Sequence, residues 1–246
     1  MSKTKAVVIH LAISAAVLAA VAALVMLVWF PHPYGELTGA PRLFLILLCV
    51  DLAIGPLLTG IVFKPGKKGL KFDLTVIGLL QAAALTYGLI VAADARPAYV
   101  VALKDQFVVV PAKRILAEDL AKAKAPFDRL PWDGPRLVAT RAPEDAASRN
   151  ALLESAFKGR DIDTFPQYYV PFEQEADALV QRAKPVQELI ERRPEQADRL
   201  RAGMAERGLD LASARYLPID SMNASMIVVF RKDEVQPAGI IAVEGW

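Results

Sequence analysis

The sequence predicts an α+β membrane protein, with three transmembrane helices followed by a small α+β extracytoplasmic domain. Three observations support this class. Long apolar segments fill the first part of the chain, four lysines cluster between the second and third segments, and mixed strand and helix patterns follow. The predicted boundary separates a three-helix membrane domain, residues 1–94, from an extracytoplasmic domain, residues 95–246.

The charge distribution separates the same two parts. Residues 1–93 hold seven Lys and Arg against three acidic residues, whereas residues 94–246 hold twenty-two against twenty-four. The formal net charge of +2 therefore combines a basic part with a nearly neutral domain. Because the only basic cluster is the lysine loop between two apolar segments, we expect contact with membrane lipid and no nucleic-acid partner.

The three apolar segments have the length of membrane spans. The predicted spans are residues 6–30, 43–63 and 74–93. A helix needs about 20 apolar residues to cross the hydrocarbon core of a bilayer. The apolar part of a signal peptide has only about 7–15 residues, so the first span is predicted to be a retained anchor.

Positive charges predict the orientation of these spans. Lys3 and Lys5 precede the first span, four lysines lie between residues 64 and 71, and the loop between the first two spans has only Arg42. Positive residues accumulate in cytoplasmic loops. The N-terminus is therefore predicted in the cytoplasm and the C-terminal domain outside. In a double-membrane bacterium this describes a multi-pass inner-membrane protein with a periplasmic domain.

Asp51 is the most informative residue of the spans, since a carboxylate at membrane depth usually marks a functional position. At a rise of about 1.5 Å per residue, Asp51 lies about 18 Å from the cytoplasmic end of its span and His10 only about 6 Å, so the two are not expected to pair. Thr86 and Tyr87 lie near the depth of Asp51. We hypothesise that one of them, or an incoming partner, donates a hydrogen bond to Asp51. The alternative is a protonated Asp51 held inside the bundle without a partner role.

Small and aromatic residues of the first span predict its surroundings. Alanines recur at helical spacing, which lets helices approach closely in lipid. They either pack against the other two spans or form a groove for another protein's membrane helix. These residues are Ala12, Ala16 and Ala20 in one row and Ala15, Ala19 and Ala23 in the other. Trp29, Phe30 and Tyr34 are expected in the aromatic belt at the outer interface.

The extracytoplasmic domain shows alternating strand and helix patterns. Strands are predicted at 99–103, 107–110, 136–140, 214–217, 225–231 and 239–243, the first two as a hairpin and all in a small antiparallel sheet. Helices are predicted at 113–124, 143–157, 173–192 with a break at Pro185, and 194–207. In the helix 143–157 the expected buried positions are Leu152, Leu153 and Phe157.

An aromatic loop follows that helix, with Phe165, Tyr168, Tyr169 and Phe172 close together. These rings either cap the small core or form an exposed contact patch, in which tyrosine is favoured. The second interpretation makes Tyr168 and Tyr169 candidates for partner binding.

Motifs that carry catalytic chemistry are missing from the sequence. The single cysteine, Cys49, and both histidines, His10 and His32, precede residue 94. The C-terminal domain therefore lacks the residues for a His-containing triad, a cysteine nucleophile, or a zinc site built from His or Cys. No phosphate-binding glycine loop appears either. We expect no enzymatic activity, no metal and no cofactor.

Three segments carry a family resemblance: LLCVDLAIGPLLTGIVF (47–63), KKGLKFDLTVIGLLQAAALTYGL (67–89) and ARPAYVVALKDQFVVV (95–110). They resemble the TfpX/TfpZ family of type IV pilin accessory proteins. This resemblance implies a Gram-negative inner-membrane protein that acts on the major pilin and supports its stability, assembly or exchange. The positions that match the family pattern are Asp51, Pro56, Lys71, Phe72, Asp73, Arg96, Pro97 and Tyr99, with Gln81 and Tyr87 in the same region.

The functional expectation is therefore a non-enzymatic accessory protein that binds the major pilin, with other pilus-machine subunits as further partners. Thr86 and Ala16 join the candidate contacts, since the first lies near the depth of Asp51 and the second is in an alanine row. A different class also fits the layout, namely a membrane-anchored sensor or scaffold whose periplasmic domain binds a ligand or protein. The very short cytoplasmic segments argue against a sensor.

Overall fold

The computed structural model describes residues 2–221 and 223–246. It divides into two compact units. A helical unit contains the residues up to Gly35 together with Gly39–Arg96, and a sheet unit contains Glu36–Thr38 and Pro97–Trp246. A three-residue stretch of the first interhelical loop thus belongs to the sheet unit.

Long apolar helices form the helical unit. Helix α1 (Lys3–Ala23) begins after Ser2, whose hydroxyl accepts from the Lys5 N–H, and continues as a π-helical turn over Leu24–Trp29. After the short helix α2 (Tyr34–Thr38) come α3 (Ala40–Val62) and α4 (Leu70–Ala95). Among the described residues, three helices are long and apolar enough to cross a membrane. They suggest a membrane protein.

Helix α3 lies between α1 and α4 and packs along both. The C-terminal ends of α1 and α4 meet the N-terminal end of α3 in a cluster of buried side chains that includes Trp29, Phe30 and Phe44. Trp29 and Phe30 are both buried, and their position in an aromatic belt at the outer interface stays a prediction. The alanine rows of α1 are exposed instead of packing on α3 and α4, so packing within this chain does not explain them.

The sheet unit contains eight described strands in one sheet. They are β1 (Pro97–Ala102), β2 (Phe107–Pro111), β3 (Arg136–Thr140), β4 (Tyr169–Pro171), β5 (Lys184–Pro185), β6 (Arg215–Asp220), β7 (Ser225–Phe230) and β8 (Pro237–Ile241). The strand order is β4-β3-β1-β2-β6-β7-β8, and β5 pairs with β6. The β1–β2 hairpin is confirmed. The sheet is mixed, however, because β1 pairs with β3 and β2 with β6 in parallel, which corrects the expectation of an antiparallel sheet.

Short helices connect the strands. They are α5 (Ala117–Leu120), α6 (Ala146–Phe157), α7 (Ala176–Gln181), α8 (Val186–Arg192) and α9 (Ala197–Glu206). Helices α8 and α9 cover β6, β7 and β8 through a core that includes Leu200 and Tyr216. A second core around Tyr99 and Tyr169 lies against β1, β2 and β3.

The solvent exposure of helix α6 differs from the prediction. All of its residues are at least partly exposed, and Leu153 and Phe157 are exposed where burial was expected. The predicted helix 113–124 is also wrong in extent. A single 3-10 turn at Ala112–Arg114 and the one-turn helix α5 occupy that region.

The stretch Glu36–Thr38, which belongs to the sheet unit although it lies between α1 and α3, is held by hydrogen bonds. Leu37 is fully buried, the Ser221 hydroxyl donates to the Leu37 carbonyl oxygen, and the Asn223 amide donates to that of Thr38. A helix end leaves carbonyl groups without intrahelical donors, and these side chains supply two. The end of α2 is thus bonded to the turn between β6 and β7.

Candidate partner-binding site

A cavity of about 450 Å³ lies among the three long helices. Its walls come from α1 and α4, and α3 contributes Asp51 and Thr59. We name this cavity the helix groove. Its lining residues are Ala6, Ile9, His10, Ile13, Ser14, Val17, Leu18, Asp51, Thr59, Leu74, Gly78, Gln81, Ala82 and Leu85. The lining is apolar apart from a few convergent polar side chains, which is the usual composition of a binding site.

A hydrogen-bonded network joins the three helices beside this groove. The two ring nitrogens of His10 lie 2.6 Å from the Thr59 hydroxyl and 2.8 Å from the Gln81 Oε1. The Gln81 amide nitrogen donates to the Asp51 carbonyl oxygen at 3.3 Å. Since this leaves the amide oxygen of Gln81 to accept, the His10 Nε2 carries a proton. The network therefore connects α1, α3 and α4 through side chains of all three helices.

Gly55 makes room for Gln81. A Cβ atom built on Gly55 would lie 2.1 Å from the Gln81 Nε2, far inside van der Waals contact. A glycine at this position lets the amide approach the backbone of α3 closely. Pro56 follows it, is buried, and lies within the continuous helix α3. The Gly-Pro pair thus shapes the contact surface of α3 at the level of the network.

The Asp51 carboxylate lines the groove and is half-buried. Within residues 2–221 and 223–246, no hydrogen bond or ion pair reaches its side chain, and only its backbone carbonyl accepts from Gln81. The hypothesis that Thr86 or Tyr87 bonds to Asp51 is wrong: the Thr86 hydroxyl donates to the Ala82 carbonyl of its own helix, and the Tyr87 side chain is exposed. A carboxylate at membrane depth is costly without a partner. Asp51 is therefore available to a group that enters the groove.

As predicted, His10 and the Asp51 side chain are not hydrogen-bonded to each other. Both nitrogens of His10 are engaged by Thr59 and Gln81. The sequence reasoning missed these two partners. The signal that would have found Thr59 is depth, since it lies about 6 Å from the end of its span, as His10 does.

The loop candidates lie at the start of α4. Asp73 accepts from Lys67 in an ion pair of 2.6 Å, while Lys71 and Phe72 are exposed. Ala16 is exposed on α1, outside the lining of the groove. The structure therefore leaves Lys71, Phe72 and Ala16 accessible to a partner and gives Asp73 a local role.

The candidates that follow α4 are buried. Arg96 donates to the carbonyl of Ala93 and caps the end of α4. Pro97 begins β1, and the Tyr99 hydroxyl donates to the Arg129 carbonyl oxygen at 3.0 Å from inside the core. Burial raises the pKa of Tyr99. These side chains fix the start of the sheet, so their contribution to any partner contact is through structure.

The aromatic loop is mainly part of the core. Phe165, Tyr169 and Phe172 are buried, and the Tyr169 hydroxyl donates to the Asp163 carbonyl oxygen. Burial raises the pKa of Tyr169 well above its usual value. Tyr168 is half-buried and is the member of this loop that keeps access to solvent. Of the two interpretations of the loop, the structure favours the core-capping one for three of its four rings.

Two buried acids of the sheet unit have distinct environments. Asp119 is buried and pairs with Arg160 at 2.5 Å, and the Arg160 guanidinium also lies 4.6 Å from the centre of the Phe165 ring. Burial raises the pKa of Asp163 to about 6, while nearby Arg114 opposes this shift. No group of three or more His, Cys, Asp or Glu side chains suited to a metal is found in the described parts of the chain.

Comparisons of the amino-acid sequence with known proteins place this chain in a family. The family model for the fimbrial assembly protein FimB matches residues 1–39. A fimbrial assembly protein of serogroup I from Dichelobacter nodosus is 33% identical over 221 residues, which is 89% of this chain and 86% of that protein. The serogroup E1 protein of the same organism is 32% identical over the same shares. The protein of serogroups C1 and C2 is 35% identical over 117 residues, 47% of this chain and 89% of its own length.

No solved structure matches the chain. The similarity to the serogroup I and E1 proteins covers most of both chains and includes the helical unit and the sheet unit. The chain therefore belongs to the FimB family of fimbrial assembly proteins.

Proposed function

We propose that this chain is an inner-membrane accessory protein of type IV fimbrial assembly, which binds the major pilin before it joins the fibre and aids its stability, assembly or exchange. The observation that carries this proposal is the 33% identity to a fimbrial assembly protein along 221 residues. The narrower assignment to TfpX/TfpZ pilin accessory proteins is part of the proposal. It rests on the segments 47–63, 67–89 and 95–110.

The membrane placement is supported by three apolar helices and by the lysines at 64–71, which favour a cytoplasmic loop. The sheet unit supplies a further argument. Because Ser221 and Asn223 donate to the carbonyl groups of Leu37 and Thr38, the loop after the first span and the C-terminal domain belong on the same side of the membrane. This agrees with a cytoplasmic N-terminus and a periplasmic sheet unit.

The helix groove is the proposed site for the membrane helix of the pilin. Its apolar walls suit a helix in lipid, where close packing and polar contacts drive association. Asp51 offers a carboxylate that accepts a hydrogen bond or a positive charge from that helix. The exposed Ala16 is a secondary contact on α1, and Tyr168 is one on the sheet unit for the pilin's globular part.

Site-specific photocrosslinking in intact cells tests the proposal. Probes at Val17 and Asp51 lie in the groove, and probes at Ala16 and Tyr168 test the secondary contacts. A probe at Leu57, which is exposed on α3 outside the groove lining, is the control. We expect pilin adducts from the groove probes and far fewer from the control.

Two variants test the role of Asp51 directly. Asp51→Ala is expected to lower pilin level or surface fimbriation, whereas Asp105→Ala, in the exposed turn after β1, is expected to change neither. If Asp51→Ala behaves as the control does, the groove contact through Asp51 is refuted. If the probes capture machine subunits and never pilin, the protein belongs to the machine itself. A membrane-anchored scaffold or sensor remains if neither is captured.

A further inference from the structure

One end of the sheet is defined by three strand termini. Strand β1 begins at Pro97, two residues after α4 ends at Ala95. Pro111, the last residue of β2, pairs with Pro97, and Arg136, the first residue of β3, pairs with Tyr99 in parallel. We name this the proximal end of the sheet. It is the end at which the chain leaves the third apolar helix.

Exposed apolar side chains lie in the segments that meet at the proximal end. Leu116 follows β2 after a single 3-10 turn and is 40% exposed, and Trp132 precedes β3 and is 60% exposed. Helix α6 returns to this end after β3, because the Arg114 guanidinium donates to the Gly159 carbonyl oxygen at 2.9 Å. The residues just beyond β2 thus hold the residues just beyond α6.

The end of α6 carries the most exposed apolar pair. Phe157 is 92% exposed and Leu153 is 61% exposed. Residues four apart lie on the same face of a helix. Every residue of α6 is at least partly exposed, so this helix adds no fully buried side chain to the core. The Leu153–Phe157 face therefore needs an explanation other than packing within the chain.

Singly exposed apolar residues are normal on protein surfaces. The distribution here is different. Among the described residues of the sheet unit, five large apolar side chains are exposed, and four of them belong to the segments just described. We call Leu116, Trp132, Leu153 and Phe157 the proximal apolar patch.

We propose that the proximal apolar patch inserts into the lipid–water interface of the membrane that holds the spans. This rests on the membrane placement proposed above. If α4 crosses the bilayer, only Arg96 separates its end from β1, so the proximal end starts at the membrane surface. Tryptophan is favoured at this interface, and burying exposed Leu and Phe side chains there removes apolar surface from water.

The charges of this region indicate how binding occurs. Lys113 and Lys158 are exposed, but Asp133 is exposed as well and Glu154 pairs with Lys158 at 2.7 Å. Because both signs are present, attraction to anionic lipid contributes little. Apolar burial drives the contact, and neutral phosphatidylcholine suffices as the lipid.

The depth of nitroxide labels in the full chain tests this inference. The chain is reconstituted in phosphatidylcholine vesicles, and accessibility to oxygen and to a water-soluble nickel chelate is measured. Labels at Phe157→Cys and Leu153→Cys, in a Cys49→Ser background, report the patch. A label at Asp105→Cys, in the turn at the opposite end of the sheet, is the aqueous control. The native Cys49, exposed within α3, reports whether the spans themselves are in the bilayer.

We expect the labels at 153 and 157 to be reached by oxygen and shielded from nickel, about 5–10 Å into the interface, and the label at 105 to remain aqueous. Leu153→Glu should then reduce the shielding at 157 without unfolding the chain, since neither position is buried. If the label at 157 matches that at 105 while Cys49 is in lipid, the inference is wrong and the membrane placement stands. If Cys49 is aqueous, the membrane placement fails and the inference fails with it. Shielding that appears only after pilin is added shows a protein contact and overturns the lipid proposal.

Discussion

Replacing Gly55 by alanine tests whether the His10–Thr59–Gln81 network holds the helices together. The new Cβ atom would lie 2.1 Å from the Gln81 Nε2 and 2.6 Å from its Cδ. A normal contact requires about 3.4 Å or more, so the amide must retreat by roughly 1 Å or leave the site. Its bonds to His10, now 2.8 Å, and to the Asp51 carbonyl, now 3.3 Å, would then be broken.

The expected cost follows from these two bonds. A hydrogen bond between membrane helices contributes about 0.6 kcal/mol on average, and a buried donor left without an acceptor costs about 1–3 kcal/mol. Alanine in a helix interior is about 0.5–1 kcal/mol better than glycine, which offsets part of this loss. We expect a net loss of about 1–3 kcal/mol in the free energy of unfolding of the helical unit.

Thermal unfolding of the purified full chain in detergent measures this effect. Gly60→Ala, in the same helix α3, is the matched control. A Cβ atom there meets only Val7, at an ordinary distance of 3.5 Å. The midpoint should fall for Gly55→Ala and stay level or rise for Gly60→Ala. In a Gln81→Ala background the clash is gone, so Gly55→Ala should then cost little. Equal midpoints for Gly55→Ala and Gly60→Ala would refute the reasoning, as would an undiminished cost without the Gln81 side chain.

Three further predictions concern the sheet unit. Because burial raises the pKa of Asp163 to about 6, the folded chain holds this proton more tightly than the unfolded chain does. The free energy of unfolding should therefore fall by roughly 3 kcal/mol as the pH rises from about 4 to about 6. Asp163→Asn should flatten that profile in thermal unfolding at a series of pH values. Arg160→Ala removes the 2.5 Å partner of buried Asp119 and leaves Lys122 at 3.3 Å, so it should cost about 1.5–3 kcal/mol in urea titrations. Glu154→Ala, in an exposed pair, should shift the unfolding midpoint much less, and equal effects would contradict the burial argument. Leu200→Ala, in the core under α9, should cost about 2–5 kcal/mol by the same titration, and a loss under about 1 kcal/mol would show that this helix is not packed as described.

Local patterns were sufficient to predict most elements of the chain. The long apolar helices, the β1–β2 hairpin and the last two strands follow from runs of apolar and β-branched residues whose period is set by the backbone itself. Pairing between distant strands has no such local signal. The parallel pairs β1–β3 and β2–β6 join segments far apart in the chain, and the sequence pattern of each strand was equally compatible with an antiparallel neighbour.

The site was predicted only in part, for a reason of geometry. Depth along a span was estimated from residue spacing, but the direction a side chain faces depends on rotation about the helix axis. Gln81 faces α3, and five residues later the helix has turned by about 140° from that direction, so Thr86 faces elsewhere. Asp51 was recognised by its charge, whereas the partners of His10 depend on how three helices are oriented together.

The prediction for α6 failed for a related reason. The spacing of Leu153 and Phe157 correctly places the two side chains on the same face of a helix. It does not indicate what covers that face. Burial inside the chain was the default expectation, and the structure leaves both side chains exposed.

The bonds between α2 and the β6–β7 turn also set an order of events during synthesis. Ser221 follows its acceptor Leu37 by 184 residues. At about 5–20 residues per second, the ribosome needs roughly 10–40 s to deliver the donor after the acceptor has emerged. The Leu37 carbonyl oxygen therefore lacks this donor until most of the sheet unit has been made. A chain that stops before Ser221 cannot form this bond, and the accessibility of residues 36–38 to a quality-control protease would distinguish an unfinished molecule from a completed one.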